Sequence, residues 1–217
     1  LPHKSYDAYD FPEYNVVPTG DIGILLKTIR TYYRAHHERG LDWRALIDRI
    51  RSQAPELWQA LSDVSKKRFI RHLKPYWEIH RHRAPQKALE TIQKAVQEKR
   101  FTLLRGRIQK VEATAGKLNI VLVNSRGVTE LSTDHLLNSS GLQQDISLTS
   151  DVLLTKLLQR GYMIPDKTGL GVETDNEGAL RCNDDTLNIF TLGALRRASV
   201  FECTAAKEVG YQAFQLS

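Results

Sequence analysis

Hydrophobic residues recur every three or four positions between residues 21 and 100, which predicts a block of amphipathic helices. The apolar positions of the first two helices are Ile22, Leu25, Leu26, Ile29, Tyr32 and Tyr33, followed by Trp43, Leu46, Ile47 and Ile50. Asp21, Asp42 and Ser62 stand just before apolar stretches and are predicted N-caps, and Gly40 is predicted to end the first helix.

Prolines divide the rest of this block. Pro55 is expected in the first turn of a third helix, because that turn needs no proline N–H. Pro75 is expected to break the helix that begins after Ser62. A last helix is predicted over residues 87–98, after Pro85. Residues 1–20 have no periodicity and are expected to be an extended lead-in, which suggests that the sequence starts within a longer protein.

Beyond residue 100 the period changes to two. Three strand-like runs are predicted: residues 101–104 leading into 107–113, then 118–123 and 128–131. Tight turns at Gly116 and Gly127 join them into an antiparallel β-meander. Leu136 and Leu137 are expected to finish one more buried strand. A helix over residues 151–160 follows.

The last thirty residues predict a strand, a glycine turn and a helix. Residues 189–192 form a short apolar run, Gly193 permits a tight turn, and a helix is expected from near Glu202 to the end of the chain. The predicted fold class is therefore α+β: a helical block (21–100), then a meander and a closing strand–glycine–helix unit (101–217). Such a unit either only completes an α/β domain or binds an anionic group at the helix N-terminus, where Arg196 and Arg197 add charge.

The charge is distributed unevenly. Residues 1–107 have a net charge of +9 and residues 108–217 a net charge of −3, within the net +6 of the whole chain. No helix-turn-helix, RNA-binding or zinc-finger pattern accompanies the basic half, so we expect no nucleic-acid partner. No apolar run has the length of a membrane span, so no membrane partner is expected. Two cysteines without CxxC spacing, Cys182 and Cys203, favour a cytoplasmic location.

Residues 68–83 combine basic, imidazole and aromatic side chains. Three interpretations are open: a metal site at His72, His80 and His82; an anion- or substrate-binding surface; or ion pairs that fix the packing of the block. No carboxylate-rich motif accompanies the histidines, so no metal is predicted. The residues of the anion-binding interpretation are Arg71, His72, Lys74, Trp77, His80, Arg81 and Arg83.

Several segments, in this order, resemble the C-terminal part of the bacterial FAD/NAD(P)-binding protein family of flavoprotein oxidoreductases. LPHKSYD is similar to the stretch after that family's second nucleotide-binding strand, and RHLKPYWEIHRHRAP is similar to its helical signature. LLNSSG stands where the family has an Asn-Cys-Thr-Gly turn. TLGALRRASVFECTAAKEV resembles the family's closing segment, with Cys203 in place of a threonine.

The resemblance implies part of a two-dinucleotide-binding flavoprotein fold with FAD as cofactor and NAD(P)H as a possible electron donor. The implied cofactor-binding residues are Asn138, Ser139, Ser140, Gly141, Gly193, Arg197, Glu202, Cys203, Thr204 and Ala205. The substrate of the full-length protein is expected to be a small molecule.

One element of that family is missing from the sequence. A Rossmann FAD domain needs a GxGxxG turn between a strand and a helix, and the chain contains none. We therefore expect the chain to be the C-terminal portion of such an oxidoreductase and to bind FAD weakly or not at all by itself. The alternative is a non-catalytic assembly module that forms a homodimer.

Overall fold

A computed structural model describes residues 1, 4–11, 16–182 and 188–216 and confirms an α+β chain. Within these ranges it has seven α-helices and one three-stranded antiparallel sheet. The helices are α1 (Ile22–His36), α2 (Trp43–Ala60), α3 (Asp63–His72), α4 (Lys74–Arg81), α5 (Gln86–Gln97), α6 (Val152–Gln159) and α7 (Ala206–Gln215). The strands are β1 (Arg107–Thr114), β2 (Lys117–Asn124) and β3 (Gly127–Thr133).

The chain divides into two compact units, whose boundaries differ from those expected from the sequence. The helical unit consists of Leu1–Ala84 and Gln143–Ser217, and the sheet unit consists of Pro85–Leu142. The helical unit therefore contains the predicted lead-in, the first four helices and the C-terminal segment. The sheet unit contains α5 and the three strands.

The predicted helix caps are present. The Asp21 side chain accepts hydrogen bonds from the backbone N–H groups of Gly23 and Ile24, and Asp42 and Ser62 cap α2 and α3 in the same way. Gly40 has a φ of 96°, so it adopts the left-handed conformation that glycine permits after a helix.

The prolines had two different outcomes. The break at Pro75 is confirmed, because α3 ends at His72 and Pro75 lies in the first turn of α4. The prediction that Pro55 begins a third helix is wrong, because Pro55 lies inside α2, a single helix of 18 residues. The buried face of α2 runs without interruption from Ile50 through Ala54 to Leu57, and this burial outweighs the hydrogen bond that a proline removes.

Trp58 lies at the centre of the core of the helical unit. It is 3% exposed, and its ring stacks on Phe201 with a centroid distance of 4.6 Å. Its indole N–H donates to the carbonyl of Ala198 at 2.7 Å. Phe69 packs edge-on against both rings. These contacts attach the C-terminal segment to α2 and α3.

The C-terminal segment is less regular than predicted. Residues 189–192 do not form a strand, and Phe190 makes only an isolated bridge to Ala179. A single turn of 3₁₀ helix, Gly193–Arg196, follows. The helix expected near Glu202 begins at Ala206. The segment folds mainly onto neighbouring loops, where Met163, Val172 and other apolar residues form a second small core.

The sheet unit confirms the meander but is shorter at both ends. The strand order is β1-β2-β3, with Ile120 opposite Val111 on one side and opposite Leu131 on the other. Residues 101–104 are irregular, so the predicted start of the first run is wrong and β1 begins only at Arg107. Leu136 and Leu137 also lie outside any strand and are 42% and 89% exposed, because β3 ends at Thr133 and leaves them without a pairing partner.

The turn between β1 and β2 shows why the meander could be predicted. Ala115 and Gly116 both have positive φ, at 52° and 78°, as a two-residue hairpin turn requires. None of the described helices is long and apolar enough to cross a membrane.

Candidate functional site

The helical unit contains a cavity of about 650 Å³ between α1, α2 and the α3–α4 pair. Its walls are formed mainly by aliphatic and aromatic side chains, among them Leu25, Ile29, Leu46, Ile50, Leu73 and Phe201. Pockets that bind small molecules are typically roughly 300–1,000 Å³ in volume and are lined mostly by apolar groups. The size and the lining therefore fit a small, largely apolar ligand.

Aromatic side chains give this cavity a distinctive surface. All three tryptophans of the protein, Trp43, Trp58 and Trp77, line it, together with Tyr33 and Tyr76. The helical spacing of α1 and α2 predicted the core positions but not the space between them. A cavity depends on how far apart the helix axes lie, which no local pattern encodes.

Polar groups of the cavity wall come from α1 and α4. Arg30 and Arg34 are exposed, and His80 is half-buried. The Nδ1 of His80 lies 2.7 Å from the carbonyl oxygen of Tyr76, and the His80 ring stands edge-on to Trp43. Neither arginine was predicted from the sequence as a site residue. The feature that could have indicated them is that α1 contains Lys27, Arg30 and Arg34 but no acidic residue to pair with them.

The basic segment 68–83 divides into groups with different surroundings. Trp77 and His80 line the cavity. Trp77 also donates its indole N–H to Glu202 at 2.8 Å, and Arg81 forms an ion pair with the same carboxylate. Both members of that ion pair are about nine-tenths buried, so Glu202 holds α4 against the C-terminal segment.

Arg83 makes a second ion pair of this kind. Its guanidinium donates to both carboxylate oxygens of Asp48 on α2, at 2.6 and 2.8 Å, and the hydroxyl of Tyr6 donates to the same carboxylate. Burial raises the pKa of Asp48, but the hydrogen bonds from Tyr6 and Arg83 outweigh this effect and lower the pKa overall. For Arg81 and Arg83, the interpretation as ion pairs that fix the packing describes the observed contacts.

The other residues of the basic segment lie elsewhere. Arg71 and His72 are exposed. Lys74 donates to the side-chain oxygen of Gln144 at 2.5 Å. Partial burial, followed by the charge of Arg197, lowers the pKa of Lys74. Lys74, Arg81 and Arg83 are therefore bonded to other parts of the protein, whereas Arg71 and His72 face solvent.

Gly193 and Cys203, predicted to approach a cofactor, are both buried and bonded to the protein itself. The Gly193 N–H donates to the side-chain oxygen of Gln212 at 3.0 Å, and the Gln212 amide donates to the carbonyl of Cys203. The Cys203 thiol donates to the Gly193 carbonyl at 3.1 Å. Gln212 therefore joins Gly193 to Cys203, and the sequence did not predict this role.

Burial also determines the acidity of Cys203. The thiol is 1% exposed, and burial raises its pKa to about 11 despite the nearby charges of Arg197 and Arg196. The thiol lies in the core and α7 begins only three residues later, so burial outweighs any lowering of the pKa by the helix N-terminus.

Arg196 is 2% exposed and donates to the carbonyl of Asn176 at 2.8 Å, over the backbone of Gly178. Burial lowers its pKa from the usual arginine value. Arg197 is half-buried. Arg196 thus orders the loop that contains Asn176.

Thr204 and Ala205 precede α7 and are more accessible than Cys203. Thr204 is exposed and Ala205 is half-buried, and no side chain caps the first turn of α7. Asn138, Ser139, Ser140 and Gly141 belong to the sheet unit, where all four are exposed. The Asn138 side chain accepts hydrogen bonds from the backbone and the hydroxyl of Ser140.

These contacts test how well the predicted residues fit FAD. Gly193 and Cys203 do not fit, because their N–H, carbonyl and thiol groups already bond to each other and to Gln212. Glu202 is likewise committed to Arg81 and Trp77. The implied cofactor-binding residues of the closing segment that keep exposed surface are Arg197, Thr204 and Ala205, and the first turn of α7 is uncapped.

No group of three or more histidine, cysteine, aspartate or glutamate residues in the described part of the chain is arranged to hold a metal ion. His82 instead lies 3.0 Å from Glu78, and His72 is exposed. Comparison of the chain with protein families, with curated proteins and with solved structures finds no match.

The buried thiol leads to a prediction about pH. The folded state holds the Cys203 proton up to about pH 11, whereas the unfolded chain releases it near pH 9.0. The stabilising contribution should be complete below pH 9 and should fall by about 2 kcal/mol as the pH rises to 11. Urea unfolding of wild type and of Cys203→Ser should show this difference in slope between pH 9 and 11.

Cys182 is only half-buried, so alkylation is tested in Cys182→Ser, which leaves Cys203 as the one thiol of the protein. Iodoacetamide at pH 8 should modify Cys203 of this variant only after unfolding. Rapid alkylation of Cys203 in the folded protein would contradict this assignment.

Proposed function

We propose that the helical unit binds a small, largely apolar molecule in the cavity between α1, α2 and the α3–α4 pair. The observation that carries this proposal is the 650 Å³ volume with its aliphatic and aromatic lining. Burial of apolar ligand surface against such walls contributes roughly 25 cal/mol per Å² before the costs of association. Tryptophan rings supply large contact areas with few rotatable bonds.

We further propose that this molecule is the substrate of an FAD-dependent, NAD(P)H-linked oxidoreductase of which the chain is the C-terminal portion. The support for this class of reaction is the order of sequence segments that resemble the flavoprotein family. FAD would supply the redox chemistry, and this chain would supply the binding and orientation of the substrate. Of the cofactor-binding residues implied in the closing segment, Arg197, Thr204 and Ala205 keep exposed surface that such a cofactor could contact, as does the first turn of α7.

Binding in the cavity can be tested with the neutral apolar dye Nile red. Ile47 lines the cavity and is half-buried, so Ile47→Trp should fill part of the volume and weaken dye binding about tenfold. Energy transfer from the cavity tryptophans to the dye reports binding at this site. The matched control is Val64→Trp, which adds the same side chain at a position that is 69% exposed.

Circular dichroism and thermal melting establish that both variants fold. Val64→Trp should bind the dye as wild type does. The cavity proposal fails if folded wild-type protein does not bind Nile red, or if Ile47→Trp binds it with unchanged affinity.

The flavoprotein part of the proposal has a separate test. The purified 217-residue chain should contain no stoichiometric flavin, because it has no GxGxxG turn to hold the FAD pyrophosphate. A longer polypeptide that includes the sequence encoded upstream of Leu1 should bind FAD and show a flavin absorption spectrum. A flavin-free longer polypeptide would contradict the assignment to a flavoprotein. A 217-residue protein with stoichiometric flavin would contradict the prediction that this chain does not bind FAD by itself.

The alternative function, an assembly module that forms a homodimer, is favoured by an exposed apolar segment of the helical unit. Leu148, Val152 and Leu153 lie close together in sequence and are 65–67% exposed. Contiguous exposed apolar surface commonly marks an interaction site.

Sedimentation velocity over a range of concentrations distinguishes the two functions. A dimer that forms through residues 148–153 should dissociate in Leu153→Ser. It should persist in the control Val64→Ser, which also removes an exposed apolar side chain but lies outside that segment. A wild-type protein that is monomeric at every concentration would contradict the alternative.

A further inference from the structure

We propose that the ligand of the cavity is an amphipathic acid, whose apolar body lies between the helices and whose carboxylate is held by Arg30 and Arg34. This inference rests on the proposed binding function and specifies the chemical class of the ligand. Neutral hydrocarbons and alcohols should bind less tightly, since they cannot form charge-assisted hydrogen bonds with the two exposed guanidinium groups.

The walls determine the body of the ligand. Ile22, Leu26 and Ile29 of α1 line the cavity from one side, and Leu46 and Ile47 of α2 line it from another. None of these side chains can donate or accept a hydrogen bond, so a polar group placed between them would lose its hydration without compensation. The part of the ligand inside the cavity is therefore apolar.

Two arginines determine the head group. Arg30 and Arg34 both line the cavity and are four residues apart in α1, so their side chains lie on the same face of the helix. Like charges at this spacing destabilise a helix slightly, and α1 itself has no acidic residue to offset them. An anion between the two guanidinium groups would remove this repulsion.

Four carboxylates near the cavity already have partners, and the two others on α2 and α3, Glu56 and Asp63, do not line it. Asp42 pairs with Arg44, Asp48 with Arg83, Glu78 with His82 and Glu202 with Arg81. No ion pair of Arg30 or Arg34 occurs within the described residues.

A carboxylate is the anion that we assign to this pair of arginines. Guanidinium groups bind carboxylates through paired, charge-assisted hydrogen bonds. Both arginines are exposed, so a head group held by them stays at the solvent edge while its chain enters the cavity. The ligand chemistry is thus that of a fatty acid or an aryl-alkyl carboxylic acid.

The test compares decanoate with decanol, which share an apolar chain and differ in the head group. Displacement of Nile red, or direct calorimetry below the micelle concentration, gives both affinities. Wild type should bind decanoate about tenfold more tightly than decanol. Arg30→Gln/Arg34→Gln should bind decanol as wild type does and should lose the preference for decanoate.

The matched control is Lys27→Gln/Arg39→Gln, which removes the same net charge from exposed positions that do not line the cavity. It should keep the preference, which separates a specific carboxylate contact from a general effect of charge. Equal affinities of wild type for the two ligands, or a preference that survives in Arg30→Gln/Arg34→Gln, would overturn the inference. If neither ligand binds wild type, the cavity proposal itself fails.

Discussion

The helical unit depends on the contact between Trp58 and the C-terminal segment. A buried indole needs a partner for its N–H, and the carbonyl of Ala198, 140 positions later in the chain, provides it. The same ring stacks on Phe201. One side chain of α2 therefore satisfies a polar group, buries a large apolar surface and determines where the last part of the chain lies.

Charge pairs reinforce this attachment at its edge. Glu202, next to Phe201, holds Arg81 and Trp77 of α4, so the C-terminal segment contacts both α2 and α4. Removal of one member of a buried ion pair leaves an uncompensated charge, which is more costly than the pair is stabilising. The stacking of Trp58 on Phe201 and the Arg81–Glu202 ion pair thus hold the helices that form the cavity walls.

In the folded protein, Gly193 and Cys203 of the closing segment make internal contacts that differ from the role implied by their sequence. In the sequence, the resemblance to the flavoprotein family implies that Gly193 and Cys203 contact a cofactor. In the folded protein, the Gln212 side chain forms hydrogen bonds with the backbone N–H of Gly193 and the carbonyl of Cys203. The side chain that makes this contact is on α7, whose pattern of apolar residues did not indicate a buried glutamine. The available chemistry of the helical unit lies instead at the cavity, where aromatic walls meet two arginines without ion-pair partners among the described residues.

The amino-acid sequence by itself determined the local elements that depend on neighbouring residues. The caps at Asp21, Asp42 and Ser62, the break at Pro75 and the turn at Gly116 follow from hydrogen bonds and φ preferences within a few positions. Tertiary structure alone decided that Pro55 stays inside a helix, that Leu137 is exposed and that Cys203 is buried, because each depends on what packs against the residue. The cavity belongs to the same class, since its volume and its pair of arginines come from the spacing of helices that are far apart in sequence.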